Sequence, residues 1–445
     1  MTYEEFKREI IKNAEAAGIA EYDLYYSRGL STTVFAFKEE ISDFSDKTSV
    51  GLCFRCITDG KTGYSHTQRL DAEEAVRLVE DAKACAGIIE SDEFSIIYSG
   101  SESYNKLPPA AEISVDASLL IEKALEIESK AKAKDPRVLS VDYAISAFSY
   151  GETALYNSHG LDLREDRSAC ELYCSLVVED GGRKYIGFEG KSYASSDKMD
   201  TDGVAGKAVD MAIGAIGGKS VKSGQYPVIF SSRTAAEMLG AFAGIFSADA
   251  AQKGLSLLAG KEGEKIAAPV VTIMDDPFHP ESNFTKTSFD GEGVATYTKH
   301  VIKNGVLKTL LYDLKSAAKA GKASTGNGMK ASFASNVEVS PTNLLISPGE
   351  HSLEELMQKA GTALYITELK GLHASADSST GDFSLESKGY LIENGKISRP
   401  AEQFTVAGNF YRLLEDITAL GNDFQIESAY GAPSALISGL AVAGE

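Results

Sequence analysis

The feature that most constrains this chain is a helix–strands–helix order that occurs twice before residue 217. Phe6, Ile10 and Ile11 fall at helical spacing and predict a helix over 3–17. Extended segments follow at 22–27, 32–37, 49–57 and 61–66. A closing helix over 72–86 places Ala75, Leu78, Val79 and Ala82 on one face. Pro108-Pro109 lies in a polar connector and marks a boundary. The order then recurs, with a helix over 117–134, strands at 141–150, 153–157, 168–179 and 184–190, and a helix over 202–216. Asp46-Lys47-Thr48-Ser49 aligns with Asp166-Arg167-Ser168-Ala169 at a constant offset, and a long strand follows each. A degenerate duplication of one α+β unit accounts for this; two units that merely look alike is the alternative.

Gly217-Gly218-Lys219-Ser220 has the look of a phosphate loop but lacks the first glycine, since Ile213 stands there, and it follows a helix instead of opening one. It reads as a helix C-cap and linker. The expected division is therefore 1–108, 109–222 and 223–445.

Beyond Gly224 the pattern becomes strand-rich. A strand at 226–230 precedes Thr234-Ala-Ala-Glu237, which reads as a capping box, and 269–274 reads as a strand. Asn304-Gly305 and Asn394-Gly395 each sit between β-like runs and predict tight hairpins, because both central positions of such a turn need positive φ. Ser352-Leu-Glu-Glu355 caps another helix, 408–420 reads as helical, and 435–442 is an apolar closing strand. The fold class expected is α+β: two smaller α+β units, then a large antiparallel, barrel-like β-rich domain with a few helices.

Composition excludes several functions. With 64 acidic and 44 basic residues the formal charge is −20, and no basic cluster offers a footprint for a phosphate backbone. No apolar run is long enough to span a bilayer, and the N-terminal residues alternate charge unlike a signal peptide. Five cysteines suit reduced thiols in a cytosol. Cys53 and Cys56 lie three apart in a β-like run, so they face opposite ways and cannot share an ion. Cys170 and Cys174 share a strand face but stand about 13 Å apart at ~3.3 Å per residue, too far for a disulfide.

Catalytic signatures are mostly missing. There is no Gly-x-Ser-x-Gly elbow, and the six histidines are scattered without metal-ligand spacing. Asp275, Asp276, Asp290, Glu292, His373, Asp377 and Asp382 are the acidic or metal-capable loop residues that could converge on a cleft, although Asp in glycine-rich loops commonly serves turns.

A series of blocks in the C-terminal half carries a resemblance. It comprises Gly260-Lys-Glu-Gly263 through Asp275-Asp-Pro277, Phe289-Asp-Gly-Glu-Gly-Val294, Ile302-Lys-Asn-Gly-Val-Leu307 and Ser324-Thr-Gly-Asn-Gly328. Thr380-Gly-Asp-Phe-Ser384, Gly389 to Lys396, Val406-Ala-Gly-Asn409 and Gly421-Asn-Asp423 complete it. Taken in order, these blocks resemble the TldD/PmbA family. The resemblance implies two small N-terminal units before a large C-terminal one. It also implies two branches: TldD-like zinc peptidases with a His-Glu-x-x-x-His helix and a later cysteine ligand, and PmbA- or TldE-like partners without that set. Counted back from Lys253-Gly254, the metal-helix positions fall on Leu239, Gly240 and Gly244, and the cysteine region reads Tyr430-Gly-Ala-Pro-Ser434. Locally, Met238, Leu239, Phe242, Ile245 and Phe246 form one apolar stripe over 234–251, and Gly240, Ala241, Ala243 and Gly244 would let another backbone approach.

The resemblance thus implies the PmbA/TldE-like half of a cytoplasmic heteromeric peptidase that acts on unfolded peptides. No catalytic residue and no cofactor are expected in this chain, with zinc held by a TldD-like partner subunit. A family label also links such proteins to DNA gyrase, but the charge opposes direct contact with DNA. A peptide-binding module or homodimer without an enzymatic partner is the second reading, and an autonomous hydrolase built on the loop acids is the third.

Overall fold

The computed structural model describes residues 1–88 and 94–445. The first unit runs α1 (Tyr3–Ala16), β1 (Glu21–Phe37), β2 (Glu40–Thr58), β3 (Lys61–Thr67) and α2 (Ala72–Ile88). The second repeats that order as α3 (Ala117–Lys134), β4 (Val138–Asn157), β5 (Asp162–Asp180), β6 (Arg183–Tyr193) and α4 (Thr201–Gly214). The segments expected as separate strands at 22–27 and 32–37 are one strand, β1, and those at 141–150 and 153–157 are one strand, β4. Gly29 and Gly151, which fall in the gaps between those segments, lie opposite each other in the β1–β4 ladder. That ladder joins both units into one antiparallel sheet of order β3-β2-β1-β4-β5-β6.

The two faces of this sheet have different jobs. Tyr22, Leu24, Tyr26 and Val34 of β1, all of one parity, are buried with residues of the helices. Residues of the other parity meet the rest of the chain: a Cβ added to Gly51 would strike the Phe333 ring, and one on Gly151 would lie 3.2 Å from Phe284. Gly217 has a positive φ but stands two residues past Ala215, which is the C-cap of α4.

The C-terminal part begins with β7 (Gly224–Phe230), α5 (Ser232–Phe242), a 3-10 turn at Ala243–Phe246, α6 (Ala248–Gln252) and β8 (Ile273–Asp275). It continues through β9 (Lys299–Lys303), β10 (Val306–Leu307), α7 (Leu314–Ala320), β11 (Gly328–Met329), β12 (Glu338–Val339) and β13 (Leu344–Ile346). Then come α8 (Leu353–Ala360), β14 (Ala363–Lys370), β15 (Asp382–Glu393), β16 (Lys396–Asn409), α9 (Phe410–Asp416), β17 (Ile417–Leu420), β18 (Gln425–Glu427), β19 (Tyr430–Ala432) and β20 (Ala435–Ala443). Strands β16-β15-β14-β7-β20 close on themselves through β16–β20 pairing into a five-stranded barrel, with β17 attached to β20. A second sheet has the order β10-β9-β8-β13-β19-β18.

Both Asn-Gly hairpins form as expected, with φ of 50° and 80° at Asn304 and Gly305, and 53° and 72° at Asn394 and Gly395. Ser352 makes its capping box on α8. Four other expectations are corrected. The box at Thr234 is not the helix start: Ser231 is the N-cap, its hydroxyl accepting from Thr234 N, while the Thr234 hydroxyl donates to Ile366 O at 3.1 Å. The strand at 269–274 shortens to β8 because β13 pairs only with 273–275. The helix at 408–420 stops at Asp416, where the chain turns extended and β17 pairs with β20. The helix over 234–251 is broken at 243–246, so its apolar stripe is carried by two helices and a turn.

Candidate functional site

Helix α5 is where the resemblance places metal chemistry. Its buried face, Ala235, Ala236, Met238, Leu239 and Phe242, belongs to the core around the barrel. Phe242 stacks on Phe410 at 4.5 Å between centroids and meets Phe383 edge-on at 6.2 Å. Leu239 is fully buried in that core. Gly240 faces Tyr430, whose ring would lie 2.8 Å from an added Cβ. Gly244 falls in the 3-10 turn and is exposed, and an added Cβ would meet nothing within 4 Å. The expectation that another backbone closes on both glycines is therefore corrected: an aromatic ring limits Gly240, and Gly244 is open. Leucine, two glycines and Pro433 offer no oxygen, nitrogen or sulfur ligand, so the side chains at these positions do not fit a zinc ion. Among the described residues, no group of three or more His, Cys, Asp or Glu could hold a metal. No chemical step is derived through one.

The first turn of α5 borders a cavity of about 420 Å³ between the second unit and the barrel. Arg233 crosses this boundary, donating to Glu189 of β6 and, through Nε at 3.1 Å, to Glu427 of β18. One turn further on, burial pushes the Glu237 carboxyl up to about 7, and the charge of Glu427 adds to the effect. Tyr365 and Tyr390 stack at 6.2 Å in the wall, beside a Lys388–Glu368 pair at 3.1 Å. The cavity is thus amphiphilic, with aromatic surface beside the Arg233–Glu189 and Lys388–Glu368 ion pairs.

The loop acids divide into two groups. Asp275, fully buried at the end of β8, accepts from Lys299 Nζ at 3.0 Å and Asn327 Nδ2 at 2.7 Å through one oxygen. Its other oxygen accepts from the backbone N–H groups of Thr342 and Asn343 at 2.8 and 2.9 Å. Four donors saturate the carboxylate, which makes it a structural anchor. Asp290 lies nearby, taking the N–H of Glu292 and Val294 on one oxygen and that of Gly328 on the other. Glu292 accepts from Leu314 N at 2.8 Å, and its second oxygen stands 3.9 Å from the Arg55 guanidinium of β2. Burial raises the affinity of both carboxyls for protons, and the neighbouring Asp290 charge raises Glu292 further. Glu292, Arg55 and Asp313 line a second cavity of about 370 Å³ at this junction.

The other candidates sit elsewhere. Asp276 is half-buried and accepts from Phe278 N and the Thr298 hydroxyl. His373 and Asp377 are exposed in the 371–381 loop, where Asp377 accepts from Ser379, and Asp382 is held by Asn409 Nδ2 at 2.8 Å. The six acids and His373 therefore do not form one cleft; Asp275, Asp290 and Glu292 come together through Lys299, Asn327 and Gly328. No sequence motif marked Arg55 or Arg233, and Glu237 read only as part of a capping box. An arginine inside the apolar run Cys53-Phe-Arg-Cys56 was a usable signal, because a lone cation there must find a buried partner.

A duplicated α+β platform joined to a barrel with a buried helix defines a distinct three-part class. Three family models match it in order: PmbA/TldA metallopeptidase domain 1 over 22–86, the central domain over 111–216 and the C-terminal domain over 223–444. The chain belongs to the PmbA/TldD metallopeptidase family. A Thermotoga maritima protein named for modulation of a DNA gyrase superposes with a TM-score of 0.92 at 31% identity, covering 99% of this chain and 100% of that one. TldE from Thermococcus kodakarensis gives 0.90 at 26% identity, over 98% and 100%. Metalloprotease PmbA of Escherichia coli O157:H7 is 26% identical over 467 residues, 99% of this chain and 98% of that protein. No helix among the described residues is long and apolar enough to cross a membrane.

Proposed function

We propose that this chain is a PmbA/TldE-like subunit of a cytoplasmic TldD–TldE-type zinc metallopeptidase acting on unfolded peptides. In this reading it supplies no metal ligand and no catalytic group, and a TldD-like partner subunit holds the zinc. The observation that carries the reading is Leu239 buried in the core with Gly240 against the Tyr430 ring, where a zinc enzyme needs donors facing an open cleft. The reading of an autonomous hydrolase loses support, since Asp275 is saturated, Asp290 is held by three backbone N–H groups, and Asp276, His373, Asp377 and Asp382 lie apart from them. The link to gyrase is read as acting through proteolysis, since the −20 charge disfavours DNA.

The purified chain is expected to contain no stoichiometric zinc and to cleave no unfolded peptide alone. Tagged chain recovered from its host is expected to bring down a zinc-containing relative, and the complex to cleave peptides in a chelator-sensitive way. Tightly held zinc with chelator-sensitive cleavage by the chain alone would overturn the reading. Micromolar or tighter DNA binding at about 150 mM salt would overturn the indirect gyrase link.

A further inference from the structure

The second cavity, of about 370 Å³, contains carboxyl oxygens that the fold leaves unused. It lies where β2 and β3 of the first unit meet the start of α7. Arg55, Glu292 and Asp313 form its charged wall, Phe94 and Leu314 give apolar surface, and the exposed Tyr64 and Asn336 stand at its mouth.

Glu292 is only 5% exposed, yet just one of its oxygens is satisfied. Oε2 accepts from Leu314 N at 2.8 Å. Among the described residues Oε1 accepts no hydrogen bond and has only the Arg55 guanidinium at 3.9 Å. Asp313, 9% exposed, repeats the pattern. Its Oδ1 caps α7 through Ser316 N at 2.7 Å and the Ser316 hydroxyl, while Oδ2 accepts nothing among the described residues. Buried carboxyl oxygens are normally met by a donor, so these two mark a place for one. The nearest cations are committed elsewhere. Arg55 gives Nε and Nη2 to Asp23, and Lys330 donates to Ser335 O and lies over the Tyr25 ring.

We propose that this cavity binds a primary ammonium group, whose N–H donors meet Glu292 Oε1 and Asp313 Oδ2 while its alkyl stem lies along the apolar wall. The proposal is independent of the peptidase reading, which rests on α5. An anion would face both unpaired carboxyl oxygens. A calcium ion would need about six to eight oxygens, and no group of three or more metal-capable side chains exists among the described residues. Protonation is coupled to binding. Glu292 is faced by Arg55 from β2, Asp290 from its own loop, Asp313 ahead of α7 and Lys330 past β11, with Lys315 in the same cavity wall. Burial and then Asp290 raise its affinity for a proton, whereas an ammonium favours the carboxylate. Binding therefore releases a proton and tightens as pH rises.

Calorimetric titration of the full chain with n-butylammonium chloride at about 150 mM salt tests this, with N-butylacetamide as the neutral control. The ammonium is expected to bind saturably at one site and the amide not at all. Affinity should rise about tenfold or more between about pH 6 and pH 8, and heats in two buffers of different ionisation enthalpy should show proton release. Glu292→Gln should weaken binding about tenfold or more and abolish that release. Asp313→Asn, which keeps the capping oxygen, should weaken binding but leave the release in place. Asn336→Trp should obstruct the mouth and weaken binding with both carboxyls intact. Spermidine and a dialanine amide, each beside its acetylated form, then separate a polyamine from a peptide amino terminus as the source of the group, the tighter binder naming it. Absence of saturable ammonium binding overturns the proposal. So does equal binding of the amide, or an affinity indifferent to both Glu292→Gln and Asn336→Trp.

Discussion

Gly240 and Gly244 stand four residues apart and answer to different constraints. A methyl at Gly240 would press on the Tyr430 ring, which the second sheet holds in place on β19, whereas one at Gly244 would enter solvent. Gly240→Ala is expected to destabilise the chain by about 1–3 kcal/mol in urea unfolding, as overpacking does, and Gly244→Ala to stay within about 0.5 kcal/mol of the parent. Equal effects would refute this assignment. Leu239 as a core residue was legible from the apolar stripe alone. The separate fates of the two glycines were not, because they depend on the break at Ala243–Phe246, which periodicity does not reveal. The cysteines were readable as structural: burial pushes the thiols of Cys56, Cys170 and Cys174 up to about 11, 12 and 12, and Cys53 is raised likewise. In the native chain iodoacetamide should therefore modify Cys85, the one that is half-buried, well before the other four, with mass spectrometry as the check.

At the scale of elements, two glycines show how the duplication is built. Gly63 of β3 and Gly187 of β6 each lie beneath the closing helix of their unit. A Cβ at Gly63 would overlap the Ala82 carbonyl oxygen of α2, and one at Gly187 would overlap the Ala208 carbonyl oxygen of α4. Both helices therefore sit directly on strand backbone, which only glycine permits. Gly63→Ala and Gly187→Ala are each expected to lower stability by about 1–3 kcal/mol, with loss of packing on the adjacent helix visible by hydrogen exchange. Tolerance at either position would show that the helix can lift away at little cost. The repeated order of elements was legible from hydrophobic periodicity, and so were the Asn-Gly hairpins, because that chemistry is local. Strand lengths were misread where Gly29 and Gly151 interrupt the pattern, since a glycine facing another strand looks like a turn in one dimension. The pairing of β1 with β4, and closure of the barrel by β16 with β20, depend on contacts distant in sequence and left no local trace.

Across the whole molecule, the platform is fastened to the C-terminal part by charge buried in its lower face. Arg55 is held by Asp23 on the neighbouring strand and reaches Glu292 across the junction, with Lys330 lying over the Tyr25 ring at 5.4 Å. The groups facing Glu292 are Arg55 from β2, Asp290 from its own loop, Asp313 ahead of α7 and Lys330 just past β11. Burial and then Asp290 raise the Glu292 carboxyl well above its ordinary 4.5, and Arg55 only partly offsets them. The sign follows directly. A carboxyl with a raised native pKa keeps its proton in the folded state after the unfolded chain has released it. The native state then binds more protons, and unfolding free energy falls as pH rises from about 4.5 through neutrality. Glu292→Gln keeps a neutral side chain of the same shape at every pH, so it should flatten this slope. Urea unfolding between about pH 5 and 8.5 should show the parent losing on the order of 1–3 kcal/mol relative to the variant toward the alkaline end. Parallel curves would mean that Glu292 is ionised throughout and that Arg55 dominates it. Arg55→Met separates the causes: without the cation the Glu292 carboxyl should rise further, steepening the pH dependence while the charged form loses its cross-junction partner.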